Sequence, residues 1–214
     1  MPKPLILFDI DKTLIDTDRL RALLKQNLAQ LLGRSEDEVA DAFLEYGSNL
    51  PDNTAFHPEE LLKLFSQRFH TPIEPLRDAF YEPSRFQQAL YPEVVDVLSK
   101  LRHQGYTLGL YSQGELAWQE HKMLANNLLE FFDKNHRYIK REKADPAIIE
   151  NLPENTIIID DKPGIIAFLE TFPHVIPLHI VRERANHVGE YTLSTLNDLL
   201  PILDSLRNSG SSQQ

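Results

Sequence analysis

Apolar and polar positions alternate between two rhythms along this chain. Leu5-Ile6-Leu7-Phe8 is a short unbroken apolar run with no Gly or Pro, the pattern of a strand buried on both faces. The rhythm then turns helical. Asp18 can cap a helix whose Leu20, Leu23, Leu24, Leu28 and Leu31 share one stripe, stopped by Gly33. Ser35 and Glu38 have capping-box spacing ahead of Val39, Ala42, Phe43 and Tyr46, with Gly47 as the stop. Pro58 suits the first position of a third helix carrying Leu61, Leu62, Leu64, Phe65 and Phe69. Pro72 closes it, and Pro75 opens a shorter one reaching Tyr81. From about Asp16 to Leu90 there is no strand signal.

From Tyr91 strands and helices alternate. Pro92 opens a helix with Val94, Val95, Leu98 and Leu101, ended at Gly105. Tyr106 to Tyr111 reads as a second buried strand, followed by Ser112-Gln113-Gly114 and a helix holding Trp118, His121, Leu124 and Leu128. A weak strand is expected near Arg137 to Ile139. Asp145-Pro146 looks like an N-cap and first-turn proline. Thr156 to Ile159 is a strong strand ending in Asp160-Asp161, and Gly164 to Glu170 is helical. Val175 to Ile180 is a last strand, Thr192 to Leu206 a terminal helix that Pro201 would interrupt, and Asn208 to Gln214 a disordered tail. This alternation implies an α/β fold with a parallel sheet and right-handed crossovers.

Composition narrows the chemistry. The 214 residues are 42% hydrophobic and 25% charged, enough apolar material for a core. There is no cysteine, so thiolate metal sites and Cys nucleophiles are excluded. The net charge of −10 disfavours nucleic acid and anionic membrane surfaces as partners. No segment approaches the ~20 apolar residues of a membrane span, and the expectation is a cytoplasmic protein. A site handling phosphate must be locally positive, built from a metal, a lysine and helix N-termini. The eight histidines show no metal-ligand spacing, and Trp118 reads as core.

Candidate chemistry sits where strands end. Asp9 and Asp11 follow the first strand, Ser112 the second, Asp160 and Asp161 the fourth. In a parallel sheet these ends share one edge, where open α/β folds bind ligands. Residues two apart in extended backbone lie on one side, roughly 7 Å apart. Asp9 and Asp11 can therefore flank one reacting group, one attacking and the other handling a proton, with the Thr13 hydroxyl just beyond. Several carboxylates in one cleft repel each other, and a divalent cation resolves this. Oxygen ligands without Cys favour Mg²⁺.

Taken together, these segments resemble the haloacid dehalogenase-like (HAD) hydrolase superfamily. Asp9-Ile10-Asp11-Lys12-Thr13 is similar to its first motif, Asp-x-Asp-x-Thr, and Ser112 to its second. Lys143, ahead of Asp145-Pro146, resembles the third, and is preferred by spacing over Lys140 and Arg141. Asp160-Asp161 resembles the fourth. The sequence departs from the commonest pattern with Lys at position 12, where Gly is frequent, and Ala at 144, where Pro is frequent.

The resemblance implies a three-layer Rossmann-like core, residues 1–15 and 88–207, with a helical cap inserted at 16–87 and a disordered tail at 208–214. It implies a Mg²⁺-dependent phosphatase acting on a small phosphorylated metabolite through an aspartyl-phosphate. Asp9 would be the nucleophile and Asp11 the acid/base. Ser112, Gln113 and Lys143 would bind the phosphate, and Asp9, Asp11 (through its carbonyl) and Asp160 the metal. Asp161 and Thr13 would ligate the metal or support its ligands. A phosphomutase of the same chemistry and a non-catalytic phosphate-ligand-binding module are the alternatives. Arg19, Arg21, Arg68, Arg77 and Arg85 are candidates for a second anionic group of the substrate, each weighed against a solvated helix charge.

Overall fold

The computed structural model describes residues 3–50, 56–182 and 191–211, and side chains up to 206. Six strands form one parallel sheet: β1 (Leu5–Phe8), β2 (Thr107–Gln113), β3 (Arg137–Lys140), β4 (Thr156–Asp160), β5 (Val175–Ile180) and β6 (Thr192–Leu193). Their spatial order is β3-β2-β1-β4-β5-β6. The chain works outward from β1 through β2 to β3, then returns to β1's other side at β4. That reversal opens the crevice beyond the carboxyl ends of β1 and β4, where such sheets bind ligands.

Alternate residues of the sheet supply two cores. Ile6, Phe8, Leu108, Leu110, Ile157 and Ile159 belong to one, Leu5, Leu7, Tyr111 and Ile158 to the other. Each fully buried aliphatic side chain contributes about 1.5–3 kcal/mol relative to exposure. Burial on both faces is why β1 and β4 read as continuous apolar runs rather than alternating ones. Gly109 is the exception that close packing requires: a Cβ there would lie 2.3 Å from the His136 carbonyl oxygen and 2.6 Å from Leu7 Cδ2.

Five helices follow β1: α1 (Thr17–Leu32), α2 (Glu36–Ser48), α3 (Pro58–Phe69), α4 (Ile73–Phe80) and α5 (Pro83–Gln88). The Ser35/Glu38 capping box and Pro58 at the head of α3 are as expected. The cap of α1 is not. Asp16, not Asp18, accepts from the Arg19 N–H, and Asp18 lies in the first turn. The apolar stripe also ends earlier than its spacing implies, with Leu28 and Ala29 buried and Leu31 42% exposed. The short α5 is an addition to the predicted elements. The helical block shares one continuous core with the sheet through Leu24, Leu62, Phe80 and Phe86.

The remaining helices are α6 (Val94–His103), α7 (Leu116–Ala125), α8 (Pro146–Ile149), α9 (Pro163–Leu169) and α10 (Leu199–Ser211). Three boundaries differ from expectation. β2 runs on through Ser112 and Gln113, because both continue the pairing with β3. Thr192-Leu193 pairs with β5 as a strand, and the helix begins only after Thr195 forms a capping box with Asp198. Pro201 falls in the first turn of α10, where its missing N–H costs nothing. Backbone 208–211 is helical rather than a disordered tail, and 212–214 lie outside the described residues. Among the described residues no helix is long and apolar enough to cross a membrane.

Candidate active site

The site is assembled from strand ends. Asp9 follows β1 directly, and its N–H donates to the Ile159 carbonyl at 2.9 Å, which locks it beside β4. Its carboxylate Oδ1 accepts from Ser112 Oγ at 3.1 Å and from Lys143 Nζ at 2.7 Å. Lys143 also pairs with Asp160 Oδ2. Asp160 Oδ1 accepts the Lys162 N–H at 2.9 Å. Asp9, Ser112, Lys143 and Asp160 are all buried, each at most 3% exposed. Lys140 and Arg141, the rivals for the lysine role, are exposed.

Local structure explains why Lys143 arrives here. Asp145 caps α8 by accepting the Ala147 N–H at 3.0 Å, fixing the end of the loop. Tyr111 in β2 donates its hydroxyl to the Lys143 carbonyl, and the Lys143 ammonium lies 5.1 Å from the centre of the Tyr111 ring. The lysine is therefore gripped at both backbone and side chain.

Burial pushes the Asp9 carboxyl up. Lys143 opposes this, while Asp160 and Asp11 add to the rise, and the result is about 7. Asp161 is also raised, by burial and then by Asp160. Burial acts against the Lys143 ammonium, but Asp9 and Asp160 outweigh it and hold the proton on more tightly than usual.

Ligand oxygens of Asp9, Asp160 and Asp161 lie within 4.8 Å of one another. The Asp161 Oδ1 atom is buried without a hydrogen-bond partner among the described residues. An oxygen-only donor set with an unsatisfied buried carboxylate oxygen fits a hard divalent cation.

Asp11 has different company. The carboxylate of this partly buried residue faces α1 and α7, and is not among the clustered ligand oxygens. Oδ1 accepts from Thr17 Oγ1 at 2.7 Å and Lys122 Nζ at 2.6 Å. Oδ2 accepts from Lys122 Nζ at 2.9 Å and Gln119 Nε2 at 2.9 Å. Burial raises the Asp11 carboxyl, but the Lys122 charge and the hydrogen bonds from Lys122, Gln119 and Thr17 hold it far below the usual carboxylate range. Thr17, Gln119 and Lys122 are absent from the sequence-derived candidates. The one available signal is a lysine four residues after Trp118, one turn along the same face of α7.

The other candidates divide. Gln113 contributes its carbonyl, which accepts from Gln119 Nε2 at 2.8 Å. Thr13 is fully buried, its carbonyl accepting from Arg182, which also pairs with Glu93. Four of the five arginines form ion pairs with acidic groups of the helical block: Arg21 with Asp18, Arg68 with Glu45, Arg77 with Glu59 and Arg85 with Glu82. They are helix-surface charges in this arrangement. Trp118 is 7% exposed and packs against Phe56, Phe80, Tyr81 and Phe86, as expected of a core residue.

The sequence model described as "haloacid dehalogenase-like hydrolase" matches residues 6–166. Two archaeal relatives carry the name glyceraldehyde 3-phosphate phosphatase. The Pyrococcus abyssi protein is 28% identical over 60% of this chain and 56% of its own length. The Pyrococcus furiosus protein is 25% identical over 73% of this chain and 72% of its own. The chain thus spans little more than half of the first relative. The crystal structure of a HAD phosphatase from Thermococcus onnurineus superposes with a TM-score of 0.63 at 24% identity, covering 94% of this chain and 98% of that one. It has the same fold.

Proposed function

The chain belongs to the haloacid dehalogenase-like hydrolases, and from that premise we propose that it is a Mg²⁺-dependent phosphatase for a small phosphorylated metabolite. One observation carries the reading. The Asp9 carboxylate meets a serine hydroxyl and a lysine ammonium, with Asp160 and Asp161 close enough to share a cation with it.

In this reading Asp9 attacks phosphorus and the bond to the ester oxygen breaks. The approaching phosphate's negative charge favours a proton on Asp11, against the low resting value set by Lys122, and the leaving oxygen takes that proton. Water then attacks the aspartyl-phosphate, Asp11 receives the water's proton, and Asp9 is released with inorganic phosphate. Splitting the displacement in two is the gain from a covalent nucleophile. Ser112, Lys143 and the backbone near Gln113 hold the phosphoryl oxygens, where pre-aimed donors act most strongly. Asp9, Asp160, the Asp11 carbonyl and Asp161 would hold Mg²⁺. When bound, it would neutralise the carboxylates and the charge on the transferring group.

Residues 16–87 serve as a cap over the crevice, closing a small substrate off from water. The names of the archaeal relatives make a three-carbon sugar phosphate the first ester to try. The test is phosphate release from a panel of sugar phosphates, phosphoglycolate and nucleoside monophosphates, with and without Mg²⁺. Turnover that needs Mg²⁺ and disappears in a folded Asp9→Asn protein is the expected result. A fully active Asp9→Asn protein ends the reading. Isomerised ester without free phosphate points to a mutase, and binding without turnover to a non-catalytic module.

A further inference from the structure

We propose that Lys122 and Gln119 are positioning residues for Asp11: two side chains of α7 that aim its carboxylate at the leaving oxygen of the ester. The proposal rests on the phosphatase reading for its kinetic part and on the geometry alone for the rest.

Lys122 is 3% exposed, an uncommon place for a lysine, and its Nζ reaches both Asp11 oxygens. Its ammonium lies 5.2 Å from the centre of the Trp118 ring, one turn back on the same face. Lys122 is thus held between an aromatic face and the carboxylate. Gln119 sits three residues before Lys122. Its Nε2 meets three acceptors: Asp11 Oδ2, the Gln113 carbonyl at 2.8 Å and Ser112 Oγ at 3.2 Å. Those acceptors fix which way the amide faces. Gly114 makes room for it. A Cβ there would lie 3.0–3.2 Å from the Gln119 side chain, and its φ of +152° suits glycine.

A buried ion pair with only a structural role would be complete with Lys122 and Asp11. Gln119 does more. It ties Asp11 to Ser112, and Ser112 in turn donates to Asp9. The two carboxylates of the first motif are therefore set relative to each other through α7, although the backbone between them is a loop. With Thr17 added, four donor contacts fall on the Asp11 oxygens. An ester oxygen reaching Asp11 enters a geometry already defined on the far side.

The test compares Lys122→Met, Lys122→Arg and Gln119→Leu on an alkyl phosphate and on 2,4-dinitrophenyl phosphate, whose leaving group needs no proton. Acid–base catalysis at this scale predicts a loss in kcat/KM, which reports the step that expels the alcohol, of about 100-fold for Lys122→Met and about 10-fold for Gln119→Leu on the alkyl ester. On the dinitrophenyl ester the loss in kcat/KM is expected to be under about 5-fold, while kcat there falls with the hydrolysis step that Asp11 also serves, and Lys122→Arg is expected to recover most of the rate. Equal losses in kcat/KM on both esters, or no loss on either, overturn the proposal while leaving the phosphatase reading intact. Crystal structures of the same variants give a readout without turnover. A displaced Asp11 carboxylate supports positioning, and an unmoved one refutes it, even if the wild-type protein hydrolyses nothing. If Lys122→Met does not fold, Gln119→Leu and Lys122→Arg decide.

Discussion

Two lysine–carboxylate contacts lie in the same crevice, each lysine drawing its carboxyl down, yet the two carboxyls end on opposite sides of their ordinary value. Around Lys143, one ammonium serves two buried carboxylates, Asp9 and Asp160, with Asp161 nearby. Burial raises Asp9, the shared ammonium does not offset it, and Asp160 adds to the rise, so the carboxyl is pushed up to about 7. Around Asp11, one carboxylate receives a whole ammonium and two neutral donors, and its carboxyl is held low. The sign of the shift follows the ratio of donors to carboxylates rather than the presence of a salt bridge. A deficit of positive charge leaves a cluster that a cation would balance, and a surplus of donors holds a side chain still.

The first way to break the contrast is at Asp9. Asp9→Asn keeps the shape and removes the oxygen that the proposed reaction uses to attack, and phosphate release is expected to fall by at least about 10⁴-fold, with the folded signal by circular dichroism unchanged. Next is Lys143→Met, which leaves Asp9 and Asp160 without their cation. Removing one partner of a buried pair costs about 3–5 kcal/mol, measured by urea unfolding, and activity should drop about 10²–10³-fold. The stability loss should shrink on acidification, as the stranded carboxylates take up protons.

Metal and pH sharpen the comparison further. Asp9 rises from 3.8 to about 7 on folding, so between those values the fold holds a proton that the unfolded chain has lost. Unfolding releases that proton, and the Asp9 contribution to stability therefore falls as pH rises through this window. Asp11 has the other sign. Its contribution is complete above its ordinary value of 3.8 and is lost as pH falls below it. Mg²⁺ competes with the Asp9 proton, so it should raise Tm more at pH 7.5 than at pH 5. The rise at pH 7.5 is expected to be about 5–10 °C at a hundredfold excess over Kd, measured by scanning calorimetry. Equal gains at both pH values would argue against Asp9 as a ligand.

The smallest effect concerns the turn that follows Asp11. Lys12 has φ +57°, a conformation that costs a non-glycine residue roughly 1 kcal/mol, and its exposed pairing with Asp18 at 2.7 Å offsets little of this. Lys12→Gly should change stability by under about 1 kcal/mol, read from the urea midpoint.

The same two regions mark how far the sequence could be read. Asp9, Ser112 and Asp160 end or directly follow buried strands, so an apolar run followed by a polar group announced each of them. Lys143 was found by its distance from the Asp145-Pro146 helix start. The Asp11 partners had no such marker. Gln119 and Lys122 sit three apart on a helix, a spacing shared by most surface pairs, and only tertiary folding reveals which face turns inward. Asp11 itself was expected beside Asp9 on a strand-like backbone. Instead the backbone bends at Ile10, and the Asp11 side chain is drawn toward α7. The missed pieces of the fold have the same origin. β6 is two residues long, its pairing with β5 comes from the sheet, and Thr192 begins it rather than the helix its composition suggested.

The placement of β1 has a consequence for assembly. It is the earliest strand in the chain yet lies at the centre of the sheet, so its two edges wait for partners about 100 and 150 residues downstream. The Asp9 contacts with Ser112 and Lys143 span 103 and 134 positions. Loop closure over such distances comes late, and a nascent or truncated chain lacking β4 would leave the Ile6-Leu7-Phe8 edge bare and prone to self-association. Catalytic competence and protection from aggregation should therefore appear together during refolding, in one slow step.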